Sequence, residues 1–171
     1  MILSINICYN TFMPIHPHAK IGHIHLTVRD LDRSLGFYRD VLGFEVTATY
    51  GDSAVFLSAG GYHHHIGLNV WNGKGATPPP QGHTGLYHFA ILFPTRLELA
   101  KVFKNLIDSG YPITGFSDHG VSEAIYLNDP DGIGVELYCD RPKDEWKVDN
   151  DGKVEMVTKP LDTESLLAEL K

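Results

Sequence analysis

The stretch IGHIHLTVRDLDRSLGFYRDVLGFEV, residues 21–46, sets out a pattern that returns in LYHFAILFPTRLELAKVFKNLIDSGYPI, residues 86–113. In each copy an apolar run carries a histidine near its start, His23 in the first and His88 in the second. A short polar turn, an apolar stripe with helical spacing and a second apolar run then follow. This internal repeat predicts two similar modules that each begin with a strand and a helix.

Both predicted helices have capping signals at their ends. Asp30 or Asp32 can cap the first helix and Thr95 the second, because their side-chain oxygens accept hydrogen bonds from free backbone N–H groups. Gly43 and Gly110 lie where the left-handed residue after a helix would fall. These signals place both helices in equivalent positions of the repeat.

Three short β-type runs follow each helix, which predicts the order βαβββ in each module. The runs are residues 45–49, 53–57 and 64–71 in the first module, and 113–114, 124–128 and 134–139 in the second. Each module is too small to bury one face of its sheet alone. We therefore expect an α+β fold with two curved mixed sheets, paired around a central cavity that forms the active site.

The modules divide the chain into five segments. These are an N-terminal extension (1–20), module one (21–72), a linker rich in proline and glycine (73–85), module two (86–140) and a polar tail (141–171) that ends in a short helix over 162–170.

Composition excludes several classes of protein. The 171 residues carry a formal charge of −7, which argues against a general nucleic-acid binder. Residues 1–9 lack the basic and small-residue features of a signal peptide, and no later run approaches about 20 apolar residues, so no membrane partner is expected. Cys8 and Cys139 form no CxxC pattern, which favours buried structural thiols in a reducing cytoplasm.

Three pieces of the sequence, HIHLTVRDLDRSLGFYRDVLGFEV, GLYHFAIL and YLNDPDGIGVELY, resemble the vicinal oxygen chelate superfamily. This superfamily is also called the glyoxalase/bleomycin-resistance/dioxygenase superfamily, and the resemblance covers residues 21–140. Its catechol-2,3-dioxygenase-like members are the most similar. The resemblance implies that each module offers one metal position on its first strand and one on its last.

These four positions fall on His23, Gly67, His88 and Glu136. Because glycine has no ligating side chain, the resemblance implies one divalent metal held by His23, His88 and Glu136. A lone glutamate between Val135 and Leu137 would otherwise be costly to bury.

Two imidazoles and one carboxylate match the 2-His-1-carboxylate arrangement, which leaves coordination sites on Fe(II) open for substrate and O₂. This set favours Fe(II), although Mn, Ni, Co and Zn also accept N and O ligands. The resemblance to glyoxalase I would imply a ligand at all four positions, with a carboxylate in each module, and Gly67 departs from that pattern. The leading hypothesis is therefore an extradiol dioxygenase that cleaves a catechol-like substrate with O₂.

The triplet His63–His65 offers a general acid–base next to the metal position. Strand alternation places His65 on the face of Gly67 and turns His64 away, but a bulge would reverse this. The resemblance to extradiol dioxygenases favours His64, so both remain candidates. It also implies that Tyr126 and His119 hydrogen-bond the substrate oxygens.

Other functions of the same superfamily remain open. A thiol transferase of the fosfomycin-resistance type would use Mn(II) but needs basic residues for a phosphonate, and residues 124–128 and 134–139 contain none. A glyoxalase or epimerase would need water or another carboxylate as a fourth ligand. A sequestering protein of the bleomycin-resistance type would lack the metal ligands. The sequence also does not determine whether the modules pair within one chain or exchange between subunits of a homodimer.

Overall fold

The chain forms the predicted repeat of two βαβββ modules, as seen in a computed structural model that describes residues 13–80 and 82–171. The expectations for residues 1–12, including Cys8, lie outside the described residues. In chain order the elements are β1 (Ile24–Thr27), α1 (Leu31–Tyr38), β2 (Glu45–Tyr50), β3 (Ala54–Ser58), β4 (Ile66–Asn69), β5 (His88–Leu92), α2 (Arg96–Ser109), β6 (Ile113–Asp118), β7 (Ser122–Asn128), β8 (Gly134–Asp140) and α3 (Thr163–Ala168).

The four strands of each module form one mixed sheet with the same order, β1-β4-β3-β2 in module one and β5-β8-β7-β6 in module two. The first strand of each module runs parallel to the last, and the other neighbours are antiparallel. His25 pairs with Gly67 in the first sheet, and Ala90 pairs with Glu136 in the second. The register thus places Gly67 in the position equivalent to Glu136.

The helices start as the capping residues predict. Asp30 caps α1 by accepting a 2.8 Å hydrogen bond from the backbone N–H of Arg33, and Thr95 caps α2 by accepting one of 3.2 Å from Glu98. Gly110 ends α2 with a φ of 66°. In module one the helix ends earlier, at Tyr38, and a further turn precedes Gly43.

The hydrophobic core lies between the helices and one face of each sheet. Alternate strand residues point to opposite faces, so each strand divides into an inward and an outward set. The inward set is buried and packs with α1 or α2; it includes Leu26, Leu57 and Leu68 in module one, and Phe89, Val135 and Leu137 in module two. Cys139 is a buried free thiol. The outward set includes His88 and Glu136 in module two, while His23 lies just before β1 in module one; none of the three belongs to the core.

The two modules contact each other through α1 and the turn between β7 and β8. The Tyr38 hydroxyl donates a buried 2.9 Å hydrogen bond to Asp129, and Arg33 forms an ion pair with Asp131. The ring of Phe37 stacks on Tyr111 with centroids 4.7 Å apart. These contacts fix the relative position of the modules through their helical side and leave the outward sheet faces open.

The tail packs against module two. Lys159 pairs with Asp118 at the edge strand β6 through backbone hydrogen bonds of 2.8 and 3.0 Å. Helix α3 lies against α2, and its Leu166 is fully buried. Within the part of the chain that the structure describes, no helix is long and apolar enough to cross a membrane.

Candidate metal centre

His88 and Glu136 lie side by side on the outward face of the second sheet. Strands β5 and β8 are parallel neighbours, and their side chains meet with His88 Nε2 2.9 Å from Glu136 Oε2. Val135 and Leu137 on either side of Glu136 point into the core. Strand alternation therefore brings a carboxylate and an imidazole together on the outward face. The glutamate side chain there is only 12% exposed.

Tyr126 and His119 extend this pair into a hydrogen-bonded chain. The Tyr126 hydroxyl donates to Glu136 Oε1 at 3.0 Å and lies 2.7 Å from His119 Nε2. His119 Nδ1 lies 2.8 Å from the carbonyl oxygen of Val157, an acceptor, and the tautomer with a proton on Nδ1 satisfies this contact. The hydrogen-bonded chain thus links the Glu136 carboxylate to the backbone of the tail through Tyr126 and His119.

The environment keeps the Tyr126 hydroxyl protonated. Burial, and then the negative charge of Glu136, raise the pKa of Tyr126 above its usual value. The tyrosine can therefore act as a hydrogen-bond donor at neutral pH.

His23 and His64 form a second group, on the outward face of the first sheet. Their ring centroids are 4.4 Å apart, and the His64 ring also packs edge-on against Phe56 at 5.1 Å. His63 Nδ1 lies 2.6 Å from His64 Nδ1. Burial, and then the charges of His23 and His63, lower the pKa of His64, which favours the neutral imidazole that a general base needs.

The prediction that strand alternation turns His64 away from the face of Gly67 is wrong, because the His64 ring packs on Phe56, the neighbour of Gly67. Strand β4 begins only at Ile66, so the alternation does not extend back to His64. The ring of His65 instead lies at the end of β3, where its Nδ1 is 3.1 Å from Ser58 Oγ and 3.4 Å from the backbone nitrogen of Ala59. Of the two candidates, His64 is therefore the one beside His23, the predicted metal ligand of module one.

The His25 ring fills the space that a side chain at Gly67 would need. A Cβ atom at Gly67 would lie 2.9 Å from Cγ of the His25 ring, closer than real contacts allow. The equivalent pair in module two is Ala90 with Glu136. Module one thus has its large residue on the first strand and its small one on the last, and module two has the reverse. The sequence contained this signal, but only the register makes it visible.

A second feature that sequence reasoning missed is the tail carbonyl of Val157, which orients His119. A backbone carbonyl has no residue-type signature, so no pattern in the sequence could have identified it.

The structure brings together His88, Glu136, Tyr126 and His119, and separately His23 and His64. It does not bring His23 to His88 and Glu136: among the described residues, no three His, Cys, Asp or Glu side chains form a group that could hold a metal ion. Each sheet face therefore carries a part of the expected site.

The His88–Glu136 pair suits a divalent metal. Ligands about 2.1 Å from one ion and at right angles to each other lie about 3 Å apart, close to the observed separation of 2.9 Å. The hydrogen bond from Tyr126 to the other carboxylate oxygen is the kind of support that orients ligating carboxylates. The donor set therefore fits the metal in part and needs a further ligand.

A family model described as "Glyoxalase/Bleomycin resistance protein/Dioxygenase superfamily" matches residues 20–137. The chain is 45% identical over 155 residues to a catechol-2,3-dioxygenase from Bacillus subtilis (strain 168), a match that covers 91% of this chain and 53% of that protein. It is 38% identical over 128 residues to a manganese-dependent 2,3-dihydroxybiphenyl 1,2-dioxygenase from Geobacillus genomosp. 3, covering 73% of this chain and 38% of the relative. The chain thus spans about half or less of the length of these two relatives.

Among solved structures, a glyoxalase/dioxygenase from Nostoc punctiforme superposes with a TM-score of 0.63 at 19% identity. The superposition covers 78% of this chain and 99% of the other. This similarity confirms the predicted fold.

Proposed function

This chain belongs to the glyoxalase/bleomycin resistance protein/dioxygenase superfamily, and on that premise we propose that it is a metal-dependent dioxygenase that cleaves the ring of a catechol-like substrate with O₂. The observation that carries the proposal is the His88–Glu136 pair with Tyr126 and His119 behind it. It combines two metal donors with a hydrogen-bonded chain of side chains on one accessible sheet face.

His88 and Glu136 would hold the metal, with His23 as the third ligand. Two histidines and one carboxylate favour Fe(II). Manganese is the next candidate because the similar Geobacillus protein is named as manganese-dependent, and the same donors also accept Ni, Co or Zn. When bound, the metal would supply the redox link between the catechol ring and O₂.

The remaining residues of the proposed site bind the substrate and handle protons. The Tyr126 hydroxyl, which donates to Glu136 in the structure, would turn its proton to a substrate oxygen, and His119, held by Val157, orients that hydroxyl. The neutral imidazole of His64 takes the proton of a catechol hydroxyl and returns it to the product.

An aromatic wall beside His64 suits a flat substrate ring. The His25 ring lies 5.8 Å from Phe56 and 5.3 Å from Trp71, and the indole is 56% exposed. Aromatic rings favour offset or edge-on contacts with another ring at such distances. This surface supports an aromatic substrate over an aliphatic one.

The proposal is tested by anaerobic reconstitution with Fe(II), followed by incubation with several catechols in air. We expect a yellow ring-fission product, lost in His88→Ala and Glu136→Gln. His83→Ala is the matched control, because the only hydrogen bond described for the His83 ring is to Pro80 in the linker. Absence of product with every catechol tested, from protein loaded with Fe(II) or Mn(II), would contradict the proposal.

A further inference from the structure

The tail of the chain holds His119 through both its ring and its backbone. The ring Nδ1 lies 2.8 Å from the carbonyl oxygen of Val157, and the backbone N–H of Val157 donates a 3.2 Å hydrogen bond to the carbonyl of His119. Gly120 permits this approach, because a Cβ atom there would lie 3.2 Å from a methyl carbon of Val157. A hydrogen bond at one ring nitrogen decides which nitrogen of a neutral histidine carries the proton. Val157 therefore favours a proton on Nδ1 and leaves Nε2 to face Tyr126.

The same part of the tail is bonded to the edge strand β6. Asp118, the last residue of β6, and Lys159 exchange backbone hydrogen bonds of 2.8 and 3.0 Å. Residues 157–159 thus form a short connection, which we call the tail strap, between Asp118 and the ring of His119. A displacement of Asp118 would move the carbonyl that holds this ring.

The carboxylate of Asp118 is fixed by Arg141, the residue that follows β8. Arg141 Nε and Nη2 lie 3.2 and 2.8 Å from its two oxygens, a two-pronged ion pair. The backbone N–H of Gly120 donates a further 2.8 Å hydrogen bond to Asp118 Oδ1. Burial alone would raise the pKa of Asp118, but these hydrogen bonds outweigh it and hold that pKa below its usual value. The charged carboxylate therefore closes the turn that carries His119.

Arg141 is itself held by a buried carboxylate. Its Nη2 lies 2.7 Å from Glu123 Oε1, and Arg96 Nε lies 2.6 Å from the other oxygen of Glu123. Arg96 continues from there to helix α3, and no hydrogen bond described for it reaches Asp118 or the tail strap. The two arginines thus share one glutamate but lead to different parts of the tail.

We propose that Arg141 is a positioning residue for His119, on which it acts through Asp118 and the tail strap. The ring of His119 in turn fixes the Tyr126 hydroxyl, 2.7 Å from Nε2. No hydrogen bond or ion pair described for Arg141 involves a proposed metal ligand, so its effect reaches the site by this route. The inference rests on the proposed function for the role of Tyr126 toward the substrate.

The test compares Arg141→Gln with Arg96→Gln, which loses a contact to the same glutamate but leaves Asp118 and the tail strap in place. The first readout is the Nδ1–H signal of His119 in the NMR spectrum of metal-free protein labelled with ¹⁵N-histidine, assigned by its absence from His119→Gln. We expect this signal in the wild type and in Arg96→Gln. In Arg141→Gln it should be lost through exchange with water.

Ring fission by Fe(II)-loaded protein gives the second readout. A positioning role predicts that kcat falls by about 10–100-fold in Arg141→Gln, the usual cost of losing a supporting group of a metal site, with the metal content unchanged. Arg141→Lys keeps the charge without the planar fork and should recover part of both the signal and the turnover. An unaltered Arg141→Gln, or equal losses in Arg96→Gln, would overturn the inference.

A backbone variant provides the test if Arg141→Gln does not fold, as judged by far-UV circular dichroism. Lys159→Pro removes the N–H that donates to the carbonyl of Asp118 and loosens the tail strap without changing the ion pairs. Lys159→Ala is its control, because it removes the same side chain and keeps that N–H. We expect the His119 signal to be lost only in the proline variant, and a signal retained in both would overturn the inference.

The two readouts separate this inference from the proposed function. A signal lost in Arg141→Gln, from a protein whose wild type forms no ring-fission product, would support the positioning route and contradict the reaction. Wild-type turnover in a variant that has lost the signal would support the reaction and contradict the inference.

Discussion

His64 and His65 have adjacent positions in the sequence but different surroundings in the structure. The ring of His64 lies against His23, whereas His65 is hydrogen-bonded at the end of β3. The sequence predicted that one histidine of this cluster is functional but not which one. Alternation holds only inside a strand, and β4 starts after both residues.

Substitution of the two histidines should separate their roles. We expect His64→Ala to lower kcat by about 10²–10⁴-fold, the usual contribution of a general acid–base, with little change in metal content. His65→Ala is the control and should retain most of the turnover. The measurement is steady-state ring fission together with metal analysis; equal losses in both variants would contradict the assignment.

The protonation of His64 gives a second test at the same scale. Burial and the neighbouring imidazoles lower its pKa, so in the metal-free protein its ring should titrate below the ordinary value of about 6.5. His63→Gln removes one of the neighbouring charges and should raise the midpoint without restoring it fully, because burial is the larger cause. Histidine ring signals followed by NMR across pH 4–8 measure the titration midpoint of His64. A midpoint that falls in His63→Gln would contradict the role given to the His63 charge.

At the scale of elements, the sequence predicted most of the local structure. The Thr95 cap and the helix positions follow from short-range patterns, because a helix is determined mainly by neighbouring residues, whereas the equivalence of Gly67 with Glu136 came from the resemblance to the superfamily. The exchange of His25 and Gly67 for Ala90 and Glu136 was not recognised, since it links strands that are far apart in the sequence.

That exchange predicts a coupled effect on stability. Gly67→Ala should lower the free energy of unfolding by about 1–3 kcal/mol, because the new methyl group meets the His25 ring. In a His25→Ala background the same substitution should be neutral or stabilising. Equilibrium urea unfolding of both single variants and the double variant measures the coupling. Additive effects would show that the two side chains do not compete for this space.

At the scale of the whole molecule, the contact between the modules includes one buried hydrogen bond, from Tyr38 to Asp129. Tyr38→Phe removes the donor to Asp129 and leaves a buried carboxylate oxygen with one partner fewer. We expect a loss of about 1–3 kcal/mol in the free energy of unfolding. Urea unfolding measures it, with Tyr62→Phe at an exposed tyrosine as the control. An unchanged midpoint for Tyr38→Phe would show that this bond does not hold the modules together.

The relation between the modules is also where sequence reasoning reached its limit. The resemblance to the superfamily implied the group of His88, Glu136, Tyr126 and His119, all within one module, and the structure brings these side chains together. It did not predict that His23 lies apart from them. Packing between modules depends on a few contacts such as Phe37 with Tyr111, and those contacts have no periodic signature.

The most direct test of the proposed function is the fate of oxygen. Metal-loaded protein incubated with a catechol under ¹⁸O₂ should yield a ring-fission product that carries both labelled atoms, as determined by mass spectrometry immediately after turnover. Loss of the catechol without O₂ uptake, or a product without label under conditions where exchange with water is excluded, would contradict the dioxygenase.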